Sequence, residues 1–234
     1  MKSTQPNKST TLQNHVRFVT ATSLFDGHDA AINIMRRIMQ AQGAEVIHLG
    51  HDRGVKEIVD IAIQEDVQGI AVSSYQGGHM EFFCYMMDLL NERGSGHIQV
   101  FAGGGGVIIP SEMQELMEYG VNRVYSPEDG RKLGLEGMIT DMLERADFSV
   151  LPKNFEPQAD KLVSGNVQHI ARSLTWIEKN KEGQLPVEHP EAVQNVLAKL
   201  SDQGVPAENS QLPVIGFTGT GGAGKSCLDR KSVV

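Results

Sequence analysis

"HVRFVTATSLFDGHDAAINIMRRIMQAQGAEVIHLG", residues 15–50, reads as strand, corner, helix, turn and strand. Its first eight residues are mostly apolar or β-branched and end in threonine, the composition of a buried strand. Ile32, Met35, Ile38 and Met39 then recur at helical spacing, and Gly43 supplies the stop before "AEVIHLG" opens a second strand. Two such strands joined through a helix form the β–α–β unit of a parallel sheet.

Outward from that unit the pattern repeats. Further strands are expected at "QGIAVSSY", "HIQVFAG" and "VNRVYS". A second helix places Val55, Ile58, Val59, Ala62 and Ile63 on one face. A third carries the core stripe Phe82, Phe83, Met86, Leu89 and Leu90 and closes at Gly94. A fourth contains Met113, Leu116 and Met117, and a fifth spans roughly Arg131 to Arg145. Five β–α units predict an α/β fold, a flavodoxin-like (Rossmann-like) parallel sheet with helices on both faces. The simplest right-handed strand order is 2-1-3-4-5, with ligands expected beyond the carboxyl ends of strands 1 and 3, at the switch point.

Composition narrows the function. The 234 residues are 40% hydrophobic and 21% charged, ordinary for a globular protein. A net charge of −8 argues against a nucleic-acid-binding surface. No apolar run approaches the roughly 20 residues of a membrane span. Residues 1–14 are polar, lack the apolar core of a secretory signal and are expected to form a disordered leader. Cys84 and Cys227 suggest no disulfide framework, which fits a reducing cytoplasm. The expected organisation is an α/β domain over 15–147 and a linker over 148–212, with helices near Val167–Asn180 and Pro190–Leu200. Residues 213–234 would begin a further domain.

The corner after strand 1, "DGHDAA", places Asp26, Gly27, His28 and Asp29 at the ligand end of the sheet. Strand 3 ends in "SSYQGGH", which brings Ser73, Ser74, Tyr75, Gly77 and Gly78. Strand 4 ends in "AGGGGVIIP", with Gly103, Gly104, Gly105 and Gly106 in a row. Consecutive glycines are entropically costly and allow close approach of a bulky ligand to the backbone. The loops predict an elongated slot with His28 at its mouth. A carboxylate two residues before a histidine can fix its tautomer for metal binding. The same pair could serve as a general base, or Asp26 could simply cap the next helix. His48 and His51 are expected to face solvent, and His79 to start helix three near the ligand.

These motifs, D-x-H, S-x-(L) and G-G in order on the right strands, resemble the cobalamin-binding domain of adenosylcobalamin-dependent acyl-CoA mutases over roughly Val16–Leu143. The resemblance implies a base-off cofactor whose dimethylbenzimidazole tail enters the slot. It makes His28 the lower cobalt ligand, Asp26 its orienting partner, and Ser73 with Gly105–Gly106 the slot lining. Two positions depart from the family: Ala31 stands for the glycine of D-x-H-x-x-G, and Tyr75 for the leucine of S-x-L.

"GTGGAGKS", residues 219–226, follows the apolar "VIGFT" and matches a phosphate loop. Gly219, Gly221 and Gly224 would shape the cradle, Lys225 would neutralise phosphate and Ser226 would reach magnesium. Eight residues follow Ser226, too few for a GTPase domain, so the expectation is a truncated remnant that does not bind GTP usefully, with an unrelated tail from "DRKSVV". The order of cobalamin domain, linker and phosphate loop resembles the fused isobutyryl-CoA mutases. That implies a parent that interconverts isobutyryl-CoA and butyryl-CoA, uses GTP and Mg, carries an acyl-CoA barrel and forms a homodimer. The piece here would lack turnover.

Other classes compete on the same fold. A corrinoid carrier for methyl transfer uses the same D-x-H logic but usually has a helical bundle in front, and a methylmalonyl-CoA mutase-type subunit is a nearer variant. A phosphoacceptor receiver would want an aspartate after strand 3 and a lysine after strand 5, where this chain has Ser73 and Ser126. A nicotinamide site would want G-x-G-x-x-G after strand 1.

Overall fold

The structure, a computed structural model, describes residues 12–181 together with the single positions 198, 199 and 202. The phosphate-loop residues Gly219 to Ser226 and the helix expected at Pro190–Leu200 lie outside the described residues.

Five strands and five helices alternate as the sequence predicts. They are β1 (Arg17–Ser23), α1 (Ala30–Ala41), β2 (Glu45–Arg53), α2 (Val55–Gln64), β3 (Gly69–Ser73), α3 (His79–Glu92), β4 (Gln99–Gly103), α4 (Pro110–Tyr119), β5 (Arg123–Tyr125) and α5 (Pro127–Ala146). The sheet is parallel throughout, in the order β2-β1-β3-β4-β5. Strand 2 runs past its expected end to Arg53, with register shifts along β1 near Gly50, whose φ is +83°.

The side-chain alternation of β1, β3 and β4 sorts the core into two layers. Val19, Ile70, Val72 and Val100 face α2, α3 and α4, where Ile58, Val59, Phe83, Met86, Leu90 and Leu116 bury the expected stripes. Phe18, Ala71, Phe101 and Tyr125 face α1 and α5, against Met39, Met138, Ile139, Met142 and Leu143. Gly69 is required on that second face, because a Cβ there would lie 2.3 Å from the Phe18 ring.

Helix α5 starts earlier than its apolar pattern suggests. Ser126 and Asp129 form a reciprocal cap: the Ser126 hydroxyl accepts the Asp129 N–H at 3.1 Å, and the Asp129 carboxylate accepts the Ser126 N–H at 2.8 Å. Pro127 follows at the first helical position, and the helix breaks at Gly134, whose φ of +68° and ψ of 170° suit glycine alone.

The segment after α5 packs back on the α/β core. A short helix α6 (Ala159–Val163), which the sequence pattern did not announce, precedes α7 (Val167–Lys181), which lies beside α2. Thr175 donates to buried Asp66 at 2.9 Å, and the Arg17 guanidinium reaches both Thr175 and Glu178. Burial raises the Asp66 carboxyl above its usual range, against the opposing pull of the Thr175 hydrogen bond and Arg172. All these contacts sit at the amino ends of the strands. Among the described residues, no helix is long and apolar enough to cross a membrane.

Candidate functional site

The register places Thr22, Ser73, Gly103 and Tyr125 in one cross-strand row at the carboxyl end of the sheet. Two residues back, on the same face, stand Thr20, Ala71, Phe101 and Arg123. Ala71, Ser73 and Gly103 are too small to fill the space between the sheet and helices α1 and α5. A cavity of about 220 Å³ results, walled by Phe101, Tyr125, Met138 and Met142 and reaching the loop glycines Gly104 and Gly105.

That cavity is mostly apolar, and one hydroxyl in its lining has no partner. Ser73 is 5% exposed, lines the cavity, and its hydroxyl has no hydrogen-bond partner. A buried hydroxyl without a partner costs about 1–3 kcal/mol. The buried Tyr125 hydroxyl is satisfied: it donates to Asp141 at 2.8 Å, and burial, with that carboxylate, pushes its phenol well up.

At the mouth, Asp26 ties the first and third loops together. It is 2% exposed, and its Oδ1 accepts both the His28 N–H at 2.9 Å and the His28 Nδ1 at 2.8 Å. Its Oδ2 accepts the Tyr75 N–H at 2.6 Å. Burial alone would raise this carboxyl, but the hydrogen bonds from His28 and Tyr75 hold it below the usual carboxylate range. An ionised carboxylate can only accept, so Nδ1 is the donor, and a neutral imidazole held in this way leaves its Nε2 lone pair free. The His28 side chain is 78% exposed.

The other residues singled out by sequence divide by role. Tyr75 rests its ring 5.7 Å from that of His28, and a Cβ on Gly105 would meet the Tyr75 ring at 2.4 Å. Tyr75 therefore narrows the cavity mouth. Gly104 lets two loops touch, since a Cβ there would lie 2.4 Å from the Ser74 carbonyl oxygen. Ser74 is a brace: buried, its hydroxyl accepts from Ser23 at 2.8 Å, and its N–H reaches the Gly103 carbonyl. Gly78 supplies a left-handed turn into α3 at φ +82°. Gly77, Gly78 and Gly106 do not line the cavity, although Gly106 adopts φ +102° beside Pro127. Gly27 has open space around its Cα, and Asp29 is engaged with the Asn33 amide. Ala31 lies within α1 and lines the cavity, so a small helix former at that position is accommodated.

Two histidines differ from expectation. His79 starts α3 but is buried and turns to Glu112 at 2.9 Å instead of facing the slot. His48 is half-buried and bonded to Thr20 at 2.9 Å, whereas His51 is exposed. Sequence reasoning missed the wall supplied by β5 and α5, namely Tyr125, Ser126, Pro127 and the Met138–Met142 turn. The S-P-x-D cap at 126–129 was the available signal, because it fixes the start of α5 against the cavity.

Among the described residues, no group of three or more His, Cys, Asp or Glu could hold a metal ion. A single imidazole suits a metal that another chelator already carries. The B12 binding domain profile matches residues 16–125. The fused isobutyryl-CoA mutase of Geobacillus kaustophilus is 62% identical over 92% of this chain, but the chain spans only 19% of that relative's length. The 2-hydroxyisobutanoyl-CoA mutase small subunit of Aquincola tertiaricarbonis is 37% identical over 43% of this chain and 71% of its own length. A solved structure, a cobalamin-binding protein from Desulfitobacterium hafniense DCB-2, aligns with TM-score 0.47 and 23% identity, covering 56% of this chain and 59% of that one.

Proposed function

This chain belongs to the B12-binding domain family, and on that footing we propose that it holds a base-off corrinoid with His28 Nε2 as the lower cobalt ligand. One observation carries the reading. An apolar cavity with a single unpartnered buried hydroxyl, Ser73, opens beside an exposed imidazole whose Nδ1 is fixed by Asp26. The cavity would receive the dimethylbenzimidazole tail, and Ser73 would donate to a ring nitrogen. Such a donation removes the penalty the hydroxyl now bears. Asp26 would hold His28 in the tautomer a metal needs and raise its basicity.

When bound, an adenosylcorrinoid supplies a weak cobalt–carbon bond for radical chemistry. The residues of this chain would hold and orient it: His28 as a cobalt ligand, Asp26 through His28, and the Gly104–Gly105 backbone by close approach. We read the chain as the cobalamin module of a larger acyl-CoA mutase, in line with its similarity to the fused enzymes. In that reading a substrate barrel and a GTP- and Mg-dependent G domain are partners elsewhere in the whole protein. That protein would be a cytoplasmic homodimer, and this span alone would show no turnover.

The test is spectroscopic. Titration with adenosylcobalamin should give a base-off absorption spectrum, and reduction to the cobalt(II) form should give a spin-resonance signal with nitrogen hyperfine splitting from imidazole. His28→Ala should abolish that splitting when cobinamide, which carries no base of its own, is the bound corrinoid. The same nitrogen signature in the variant would refute His28 ligation.

A further inference from the structure

The Asp26 N–H donates to the Ser23 carbonyl at 3.0 Å, closing a β-turn over Leu24 and Phe25. Phe25, the third residue of that turn, has φ +64°. Turns of this kind place glycine or asparagine there, and a bulky residue is a true outlier. Burial does not repay the strain, because Phe25 is 80% exposed.

Instead the turn is braced from outside. The Asp52 carboxylate accepts the Phe25 N–H at 2.6 Å. Asp52 is itself left-handed, at φ +58°, and its own N–H reaches the Asp26 carbonyl and the Thr22 hydroxyl, each at 3.2 Å. From the loop after β3, the Gln76 amide bonds the Leu24 carbonyl. Glycine at position 25 would make the same turn and the same hydrogen bonds without strain. What the chain keeps at that cost is the phenyl ring, and strain held at an exposed position beside a site points to function.

The ring is exposed at the carboxyl end of β1, three residues before His28. Val107 and Ile109, 39% and 50% exposed, stand on the loop after β4. Phe25 does not line the cavity, so it has no part in gripping a ligand's tail. Exposed apolar groups on the loops at the same end of the sheet as an exposed imidazole fit a large, flat, methyl-bearing macrocycle. We propose that Phe25 is a contact residue for the corrin ring, with its strained turn maintained for that purpose; this rests on the corrinoid reading above.

The experiment compares Phe25→Gly with the parent protein, using cobalamin and cobinamide, which has the ring but no nucleotide tail. Losing one aromatic contact of about 1.5 kcal/mol or more corresponds to roughly tenfold weaker binding. The expected result is that factor for both ligands alike, with a thermal midpoint no lower than the parent's. Phe25→Asn, whose side chain also tolerates the left-handed region, should behave in the same way and serves should the glycine variant fold poorly. A parent that binds neither ligand sinks the corrinoid reading itself. A parent that binds both, with variants that bind both equally well, overturns the Phe25 contact alone. Weakening confined to cobalamin would also overturn it, because the ring would then act through the tail.

Discussion

Asp26→Asn separates charge from shape at the mouth of the site. In the parent, one carboxylate oxygen accepts two donors from His28 and the other accepts the Tyr75 N–H. An asparagine can keep the carbonyl toward His28, but its amide nitrogen then confronts the Tyr75 N–H, donor against donor. The change exchanges a charge-assisted bond for a buried, unsatisfied pair, a cost of about 2–4 kcal/mol. For a chain of this size that is roughly 5–15 °C in thermal midpoint. Denaturant titration followed by circular dichroism measures it at each pH. The folded-state pKa of Asp26 is depressed, so its contribution is present above the unfolded value near 3.9 and is lost as pH falls through the folded one. The gap between parent and variant should therefore be full at pH 7 and shrink below about pH 4. A gap that stays constant down to pH 3 would refute the argument that an ionised carboxylate joins these loops. Cobalamin binding should weaken about 10- to 100-fold in the same variant, because His28 loses its orienting partner.

Ser73→Ala removes a hydroxyl that has no partner in the fold. Thermal stability should be unchanged or slightly higher, while cobalamin binding weakens about fivefold to thirtyfold and cobinamide binding stays the same in parallel titrations. Gly104→Ala puts a Cβ against the Ser74 carbonyl oxygen, an overpacked contact that should cost about 1–3 kcal/mol in a denaturant melt and spread the two loops that meet there.

Much of this was legible in the chain. Periodicity gave β1 to β4 and the buried stripes of α2 and α3, since a strand covered on both faces leaves a strong pattern. The D-x-H spacing gave the Asp26–His28 contact, because two residues at one corner cannot be far apart. What sequence could not show was pairing across the fold. Ser73 and Ser74 are neighbours of identical type, yet one aims into the cavity and the other braces Ser23; strand alternation and cross-strand register decide that. His79 follows two glycines and was expected to start helix three near the ligand, but Glu112, thirty-three residues away in the chain, draws it inward. The strain at Phe25 was invisible as well, since nothing local in "SLFDGH" announces a left-handed phenylalanine.

The docking of α7 has a mechanical consequence. Its attachment to Arg17 is at the start of β1, while the Ser23–His28 corner is at the strand's other end. Seven residues of extended chain, about 20 Å, connect the two, and β1 is hydrogen-bonded on both sides by β2 and β3. A pull delivered through α7 thus enters a strand hydrogen-bonded on both sides and would be shared across the sheet. Towing α7 would carry the imidazole, the cavity and the glycine loops together, without changing their spacing.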